Sequence, residues 1–167
     1  MPFVGLALQV FPIYWANEWL EPAIRFFIIA SYFLLLAFVV ANWRSIGIAV
    51  IGIGLVLNFM AIMANGGYMP VTEEALAKAG LQELAASVAV GEMVPGSKDI
   101  FVASGSSRLY PLTDIVTVKW PWPTVASAGD FIVGLGLVVV LIQGCRRLYV
   151  REGVSSDKAP KGLGNET

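Results

Sequence analysis

Two asparagines, Asn58 and Asn65, offer polar chemistry in an otherwise apolar stretch, IGIAVIGIGLVLNFMAIMAN. Their seven-residue spacing puts both side chains on one face of a helix, about 10 Å apart. A carboxamide in such a helix usually forms a hydrogen bond with a neighbouring helix, worth about 0.6 to 2 kcal/mol. The alternative is that the two amides border a polar path or a ligand cavity.

The residues that follow, in the stretch NGGYMPV, end this apolar run with Gly66 and Gly67. In the structural interpretation, Asn65 or Gly66 takes the left-handed conformation that ends a helix, Gly67 permits a turn and Pro70 prevents further helix. In the functional interpretation, two adjacent glycines let a ligand, an ion or a partner helix approach the main chain closely. The two interpretations are compatible.

Ser127 and Asp130 begin a second apolar run and have the spacing of an acidic capping box. An acid in the first turn also interacts favourably with the positive end of the helix dipole. Because an acid just inside a membrane span is by default a functional hypothesis, Asp130 is also a candidate for proton or cation handling. Asp114 is the acid that could pair with it in acid–base chemistry.

The composition excludes most other chemistry. The chain has 167 residues, of which 57% are hydrophobic and 14% charged, with a net charge of −1, and its mean hydropathy is +0.73. These values are typical of a protein in lipid, and they offer no basic field for nucleic acid. With no histidine and one cysteine, Cys145, the usual general base, zinc ligands and haem ligands are missing. We therefore expect no catalytic residues, no metal and no cofactor.

The hydropathy pattern predicts an all-α integral membrane protein, with a single membrane domain over residues 1–150. About 20 apolar residues are needed to cross a bilayer as a helix. The predicted helices are 2–16, 22–41, 46–64 and 127–149. The first is short and interrupted by Pro12. A signal peptide is the alternative there, but the stretch lacks a basic n-region and a small-residue cleavage site. Glycines within the later runs indicate close helix packing without the four-residue spacing of a dimer motif.

Basic residues set the predicted orientation, because short cytoplasmic loops are enriched in them. Arg44 lies between the second and third helices, and several more basic residues follow the last helix. With both regions inside, both termini are cytoplasmic and residues 65–126 form an outer segment. The polar tail 151–167 is predicted to be disordered.

The outer segment is predicted to contain an amphipathic helix and a small β-hairpin. Thr72 can cap that helix, and Gly80 can break it. The stretches DIFVA and DIVTVKW are the extended candidates. Tryptophans near the predicted outer interface are expected to anchor the protein there. They are Trp15, Trp19, Trp120 and Trp122.

The stretches LVLNFMAIMANGGYMPV, LTDI and PWPTVASAGD together resemble domain-of-unknown-function family 5317, which consists of small multi-spanning bacterial membrane proteins. The resemblance covers about residues 5 to 145 and implies a location in the bacterial inner membrane, with no assigned activity. The matching motif residues are Asn58, Asn65, Gly66, Gly67, Met69, Pro70, Val71, Asp114, Pro121, Pro123, Ser127, Gly129 and Asp130.

Two functional hypotheses follow. The first is a non-enzymatic accessory or scaffold subunit, whose outer segment docks on its own helices or on a membrane protein partner. The second is a small transporter or ligand-binding module, with a polar site at the outer ends of the third and fourth helices. That site requires Asn65 to lie near Asp130.

Overall fold

A computed structural model of the chain describes residues 3–5, 7, 21–95, 97–119 and 121–157. The fold is mostly helical, with small two-stranded sheets between the second and the last long helix. In chain order the elements are α1 (Glu21–Ala41), α2 (Ile46–Ala64), β1 (Met69–Thr72), α3 (Glu73–Ala79), α4 (Gln82–Ser87), β2 (Asp99–Val102), a 3-10 turn (Tyr110–Leu112), β3 (Val116–Val118), β4 (Thr124–Ala126) and α5 (Ala128–Asp157).

Three of these helices, α1, α2 and α5, are long and apolar enough to cross a membrane, each over 19 residues. They correspond to three of the spans expected from the sequence. Of the helix expected at 2–16, residues 3–5 and 7 are helical, and Gly5 lies against Leu35 of α1. The rest of that segment lies outside the described residues.

The last helix extends further than the sequence boundary of 149. α5 continues to Asp157, into the tail for which disorder was expected from residue 151. Extending an existing helix adds a hydrogen bond for each residue fixed, and the next proline comes only at Pro160. Residues 158–167 lie outside the described part of the chain.

Helices α1 and α2 form an antiparallel pair joined by a tight turn at residues 42–45. The Asn42 side chain donates to the Phe38 carbonyl at 2.8 Å, and the Ser45 N–H donates to the Asn42 carbonyl at 3.1 Å. These bonds satisfy backbone groups where one helix ends and the next begins. Between the two helices lies an apolar core that includes Ile28 and Ile62, which are 1% and 0% exposed.

Helix α5 packs antiparallel against α2 at very short range because glycines line the contact. A Cβ atom added to Gly54 would lie 2.5 Å from the Gly129 carbonyl oxygen, and one added to Gly136 would lie 2.8 Å from the Gly47 carbonyl oxygen. Each helix therefore presents two glycines seven residues apart to the other. This packing brings the C-terminal half of α2 against the start of α5.

The segment between α2 and α5 folds into a compact unit at the end of the bundle where α2 ends and α5 begins. We call it the outer unit, after the side expected for it from the sequence. Strand β1 pairs in parallel with β2, and β3 pairs antiparallel with β4, so the two extended stretches singled out in the sequence do not pair with each other. The amphipathic helix begins at Thr72, whose hydroxyl accepts the Ala75 N–H, and ends at Gly80 with φ +89°. Its apolar side packs on Val71 and Phe101 through residues that include Leu76, which is 1% exposed.

Candidate functional site

Hydrogen bonds at the start of α5 hold the side chains of Ser127 and Asp130, the first two residues of the candidate site. The Ser127 N–H donates to Asp130 Oδ2 at 2.9 Å, and the Asp130 N–H donates to Ser127 Oγ at 3.1 Å. This is the reciprocal capping box that the sequence predicts. It holds the Asp130 carboxyl group in place at the N-terminal end of α5.

Asn58 of α2 completes this group. Its Nδ2 donates to Asp130 Oδ1 at 2.8 Å, while Ser127 Oγ lies 2.7 Å from both Asn58 Oδ1 and Asp130 Oδ2. A hydroxyl carries one proton, so Ser127 can donate to only one of these acceptors at a time. Asn58 and Ser127 are 2% and 0% exposed. The missing side chain at Gly129 creates this space, because a Cβ there would overlap the Asn58 amide.

Tyr32 of α1 connects this group to the outer unit. Its side chain is 1% exposed, and its ring stacks on Phe59 with the ring centroids 5.6 Å apart. The Tyr32 hydroxyl lies beside the Asn58 amide and the Lys98 ammonium group, and Lys98 Nζ is 6.0 Å from the centroid of the Tyr32 ring. Lys98 as a residue is half-buried, and its ammonium group is at the buried end.

Two aspartates next to β1 approach Lys98. Asp99 pairs with Met69 in the β1–β2 register, and Asp114 bridges to Val71. Met69 and Val71 are two residues apart on β1, so their partners project from the same face of the strands. The outer unit therefore places Asp99 and Asp114 together, at 8% and 4% exposure.

These two buried carboxyl groups have too few donors. Asp99 Oδ2 accepts the Ser97 hydroxyl, but Asp99 Oδ1 and Asp114 Oδ1 have no donor among the described residues. The two carboxyl groups lie within interaction range of each other. Two ionised carboxylates can only accept, so a hydrogen bond between them requires that one carries a proton.

The electrostatics assign that proton to Asp114. Burial, followed by the negative charges of Asp99 and Asp130, raises the pKa of Asp114 to about 9. Burial also raises the pKa of Asp99, against the opposing effects of Ser97 and Lys98. At neutral pH the arrangement is therefore a protonated Asp114 beside an acceptor, next to a lysine.

The charges around Lys98 keep its ammonium group protonated. Burial alone lowers the pKa of Lys98, but electrostatic attraction outweighs burial and raises this pKa above its usual value. The attracting groups are Tyr32, Asp130, Asp99 and Asp114. We call the seven residues Tyr32, Asn58, Lys98, Asp99, Asp114, Ser127 and Asp130 the junction cluster. Among the described residues, no group of three or more His, Cys, Asp or Glu side chains is placed to hold a metal ion.

Asn65, which the sequence grouped with Asp130, lies elsewhere. Its Nδ2 donates to the carbonyls of Ala61 and Arg108, both at 2.8 Å, and its Oδ1 accepts the Arg108 N–H at 2.7 Å. Asn65 therefore fastens the 105–109 loop to the end of α2. The ligand-site hypothesis required Asn65 to lie near Asp130, but the hydrogen bonds of its side chain go to the backbone of α2 and of the loop. Asn58, seven residues earlier in α2, forms the hydrogen bond with Asp130.

The two glycines after Asn65 have a structural role. Gly66 has φ +76°, and the Gly67 N–H donates to the Ile62 carbonyl at 2.8 Å, which is the pattern of a Schellman helix end. The Arg25 side chain covers Gly67 and lies 5.2 Å from the centroid of the Tyr68 ring. The main chain at Gly67 is thus already in contact with a side chain of the protein.

Of the remaining predicted site residues, Asp114 joins Asp130 only through its charge, with Asp99 as its nearer partner. Trp122 is 78% exposed, as an interfacial anchor requires, and Trp15, Trp19 and Trp120 lie outside the described residues. Sequence reasoning missed Tyr32, Lys98 and Asp99. The first lies in an apolar helix and the others in a stretch that reads as a turn. The available signal was a lysine next to an aspartate at the start of a predicted extended segment.

A sequence model for a family of unknown function, DUF5317, matches residues 1–142 of the chain. No curated protein and no solved structure gives a significant match.

Proposed function

The chain belongs to DUF5317, a family of unknown function, and we propose that it is a proton-binding module of the bacterial cytoplasmic membrane, of the kind that couples transport or ligand binding to protonation. The observation that carries this proposal is the junction cluster, in which buried carboxyl oxygens lack donors. Native proteins rarely leave such atoms unsatisfied without a reason.

The arrangement supports coupling rather than simple proton storage. A carboxyl group that holds its proton at neutral pH releases it when its surroundings change, for example when a cation arrives or water enters. Lys98 interacts electrostatically with Asp99 and Asp114 and also with Tyr32 and Asp130. A change in the charge of Asp99 or Asp114 therefore changes the electrostatic potential at Asp130.

Infrared difference spectroscopy tests the proton site directly. We expect a protonated-carboxyl C=O band at about pH 7 that disappears towards about pH 10, and that is missing in Asp114→Asn. Glu83→Gln, which changes an exposed acid on α4, serves as the matched control and should keep the band. A wild-type spectrum without such a band would overturn the proposal.

The membrane topology is part of the same proposal, with four spans and both termini in the cytoplasm. Cys145 is exposed near the end of the last span, and Ser104 is exposed in the outer unit. An impermeant maleimide added to intact spheroplasts should label Ser104→Cys in a Cys145→Ser background and leave wild-type Cys145 unlabelled. The reverse pattern would invert the topology.

The second candidate, an accessory or scaffold subunit, is favoured by one observation. Only 11% of the apolar span of α5 is buried, against 33% and 39% for those of α1 and α2. A second membrane protein packing on α5 would explain this asymmetry. Crosslinking in native membranes followed by blue-native electrophoresis separates the cases, because a scaffold migrates with a defined partner and an independent module does not.

A further inference from the structure

At the end of the bundle opposite the junction cluster, the α1–α2 turn and α5 enclose a groove of about 480 Å³. Its lining includes the half-buried side chains of Ile48 and Val140 and the exposed side chains of Trp43 and Arg44. A Cβ atom added to Gly144 in this groove would meet nothing within 4 Å. The groove therefore combines half-buried apolar side chains with an exposed mouth that carries a basic residue.

The groove lies where the spans end. Ala41, Ile46 and Arg146 are the limits of the three apolar spans on this side, so the mouth is at the level of lipid headgroups. Trp43 is 69% exposed, and tryptophan is enriched at this depth in membrane proteins.

The charge of the groove selects for an anion. Arg44 is exposed, and the ion pair found among the described residues joins Lys78 to Glu74, so no described carboxylate neutralises Arg44. Arg146 follows on the same side. The polar side chains beside Arg44 form hydrogen bonds with other groups of the protein. Ser45 Oγ donates to Gln143 Oε1 at 3.1 Å, and Asn42 Nδ2 donates to the Phe38 carbonyl. The guanidinium group is left to bind an external partner.

We infer that this groove binds an anionic phospholipid, with the phosphate on Arg44 and an acyl chain along Ile48 and Val140. A guanidinium group can bind two phosphate oxygens at once. A phosphocholine headgroup would bring its own cation next to Arg44, so an anionic lipid fits better than a zwitterionic one. The inference rests on the membrane location proposed above and not on the proton site.

Native mass spectrometry of the full chain in mild detergent tests this inference, with phosphatidylglycerol and phosphatidylcholine as probes. We expect wild-type protein to retain phosphatidylglycerol at least about tenfold more tightly than Arg44→Ala, because a charge-assisted contact is lost. Arg44→Lys should retain part of the affinity, since lysine keeps the charge without the paired donors. Arg108→Ala, which removes an exposed arginine at the other end of the molecule, should behave as wild type.

A second pair of variants tests the open space of the groove independently of the charge of Arg44. Gly144→Leu should block the groove and weaken binding, whereas Gly134→Leu, at a site equally free of neighbours, should not. Equal retention of both lipids, no effect of Arg44→Ala, or displacement of the lipid by inorganic phosphate alone would each overturn the inference. If maleimide labelling instead shows that the chain is not in the membrane, the proposed topology is wrong. Any retention of lipid in detergent then has a cause other than the membrane location.

Discussion

Gly129→Ala should prevent α2 and α5 from packing and leave little folded protein in detergent. The added Cβ would overlap the Asn58 amide and lie 2.7 Å from the Gly54 carbonyl oxygen. Overpacking of this kind costs about 1 to 3 kcal/mol. Displacing Asn58 would in addition remove its bond to Asp130, and a lost hydrogen bond to a charged group costs about 1.5 to 3 kcal/mol. The overpacking and the lost hydrogen bond add to each other, because the Cβ atom added at residue 129 causes both.

The matched control is Gly134→Ala, one and a half turns further along α5. A Cβ atom there meets nothing within 4 Å, and alanine favours a helix over glycine by about 1 kcal/mol. Thermal unfolding followed by intrinsic fluorescence should show Gly134→Ala at or above the wild-type midpoint. If Gly129→Ala unfolds at the same temperature as Gly134→Ala, the close contact between α2 and α5 does not exist in solution.

Wild-type protein should lose stability as the pH rises from about 4 to about 9. The pKa of Asp114 is raised to about 9 by burial, Asp99 and Asp130, whereas an aspartate in the unfolded chain has a pKa near 3.9. Between these values the folded state holds a proton that the unfolded state has released. Stability therefore falls with increasing pH in this window and levels off above it. The raised pKa of Asp99 acts in the same direction.

Asp114→Asn should remove most of this slope, because an amide stays neutral at every pH. We expect the variant to match the wild type at about pH 5 and to exceed its unfolding midpoint by several degrees at about pH 9. Lys98 should not obscure the comparison, since its raised pKa affects stability only above about pH 10.4. Glu83→Gln should keep the wild-type slope. A wild-type midpoint that stays constant or rises over this range contradicts a protonated Asp114.

The parts of the site that could be foreseen are those that depend on local chain geometry. Ser127 and Asp130 form a capping box because their three-residue spacing fits any helix start. Gly66 ends α2 because it tolerates a positive φ. Asn58 was recognisable as a buried polar residue in an apolar helix, where a hydrogen-bonding partner on another helix is the expected solution.

The parts that could not be foreseen depend on which segments meet. Asn58 and Asn65 are both asparagines of one apolar stretch, and their spacing places them on one face of the predicted helix, yet it is Asn58 that forms a hydrogen bond with Asp130. The reason is that Asn65 lies one residue beyond the helix, where the loop backbone at Arg108 competes for it. Lys98 and Asp99 gain their importance from the parallel pairing of β2 with β1, a non-local contact that no local pattern encodes.

The sequence by itself indicated three helices that are long and apolar enough to cross a membrane, and it indicated where α2 ends and α5 begins, since hydropathy and capping act over a few neighbouring residues. The tertiary structure alone decided that Tyr32, Lys98, Asp99 and Asp114 face one another. Their meeting depends on strand register and on glycine contacts between helices far apart in the chain, and burial then raises the pKa of both aspartates.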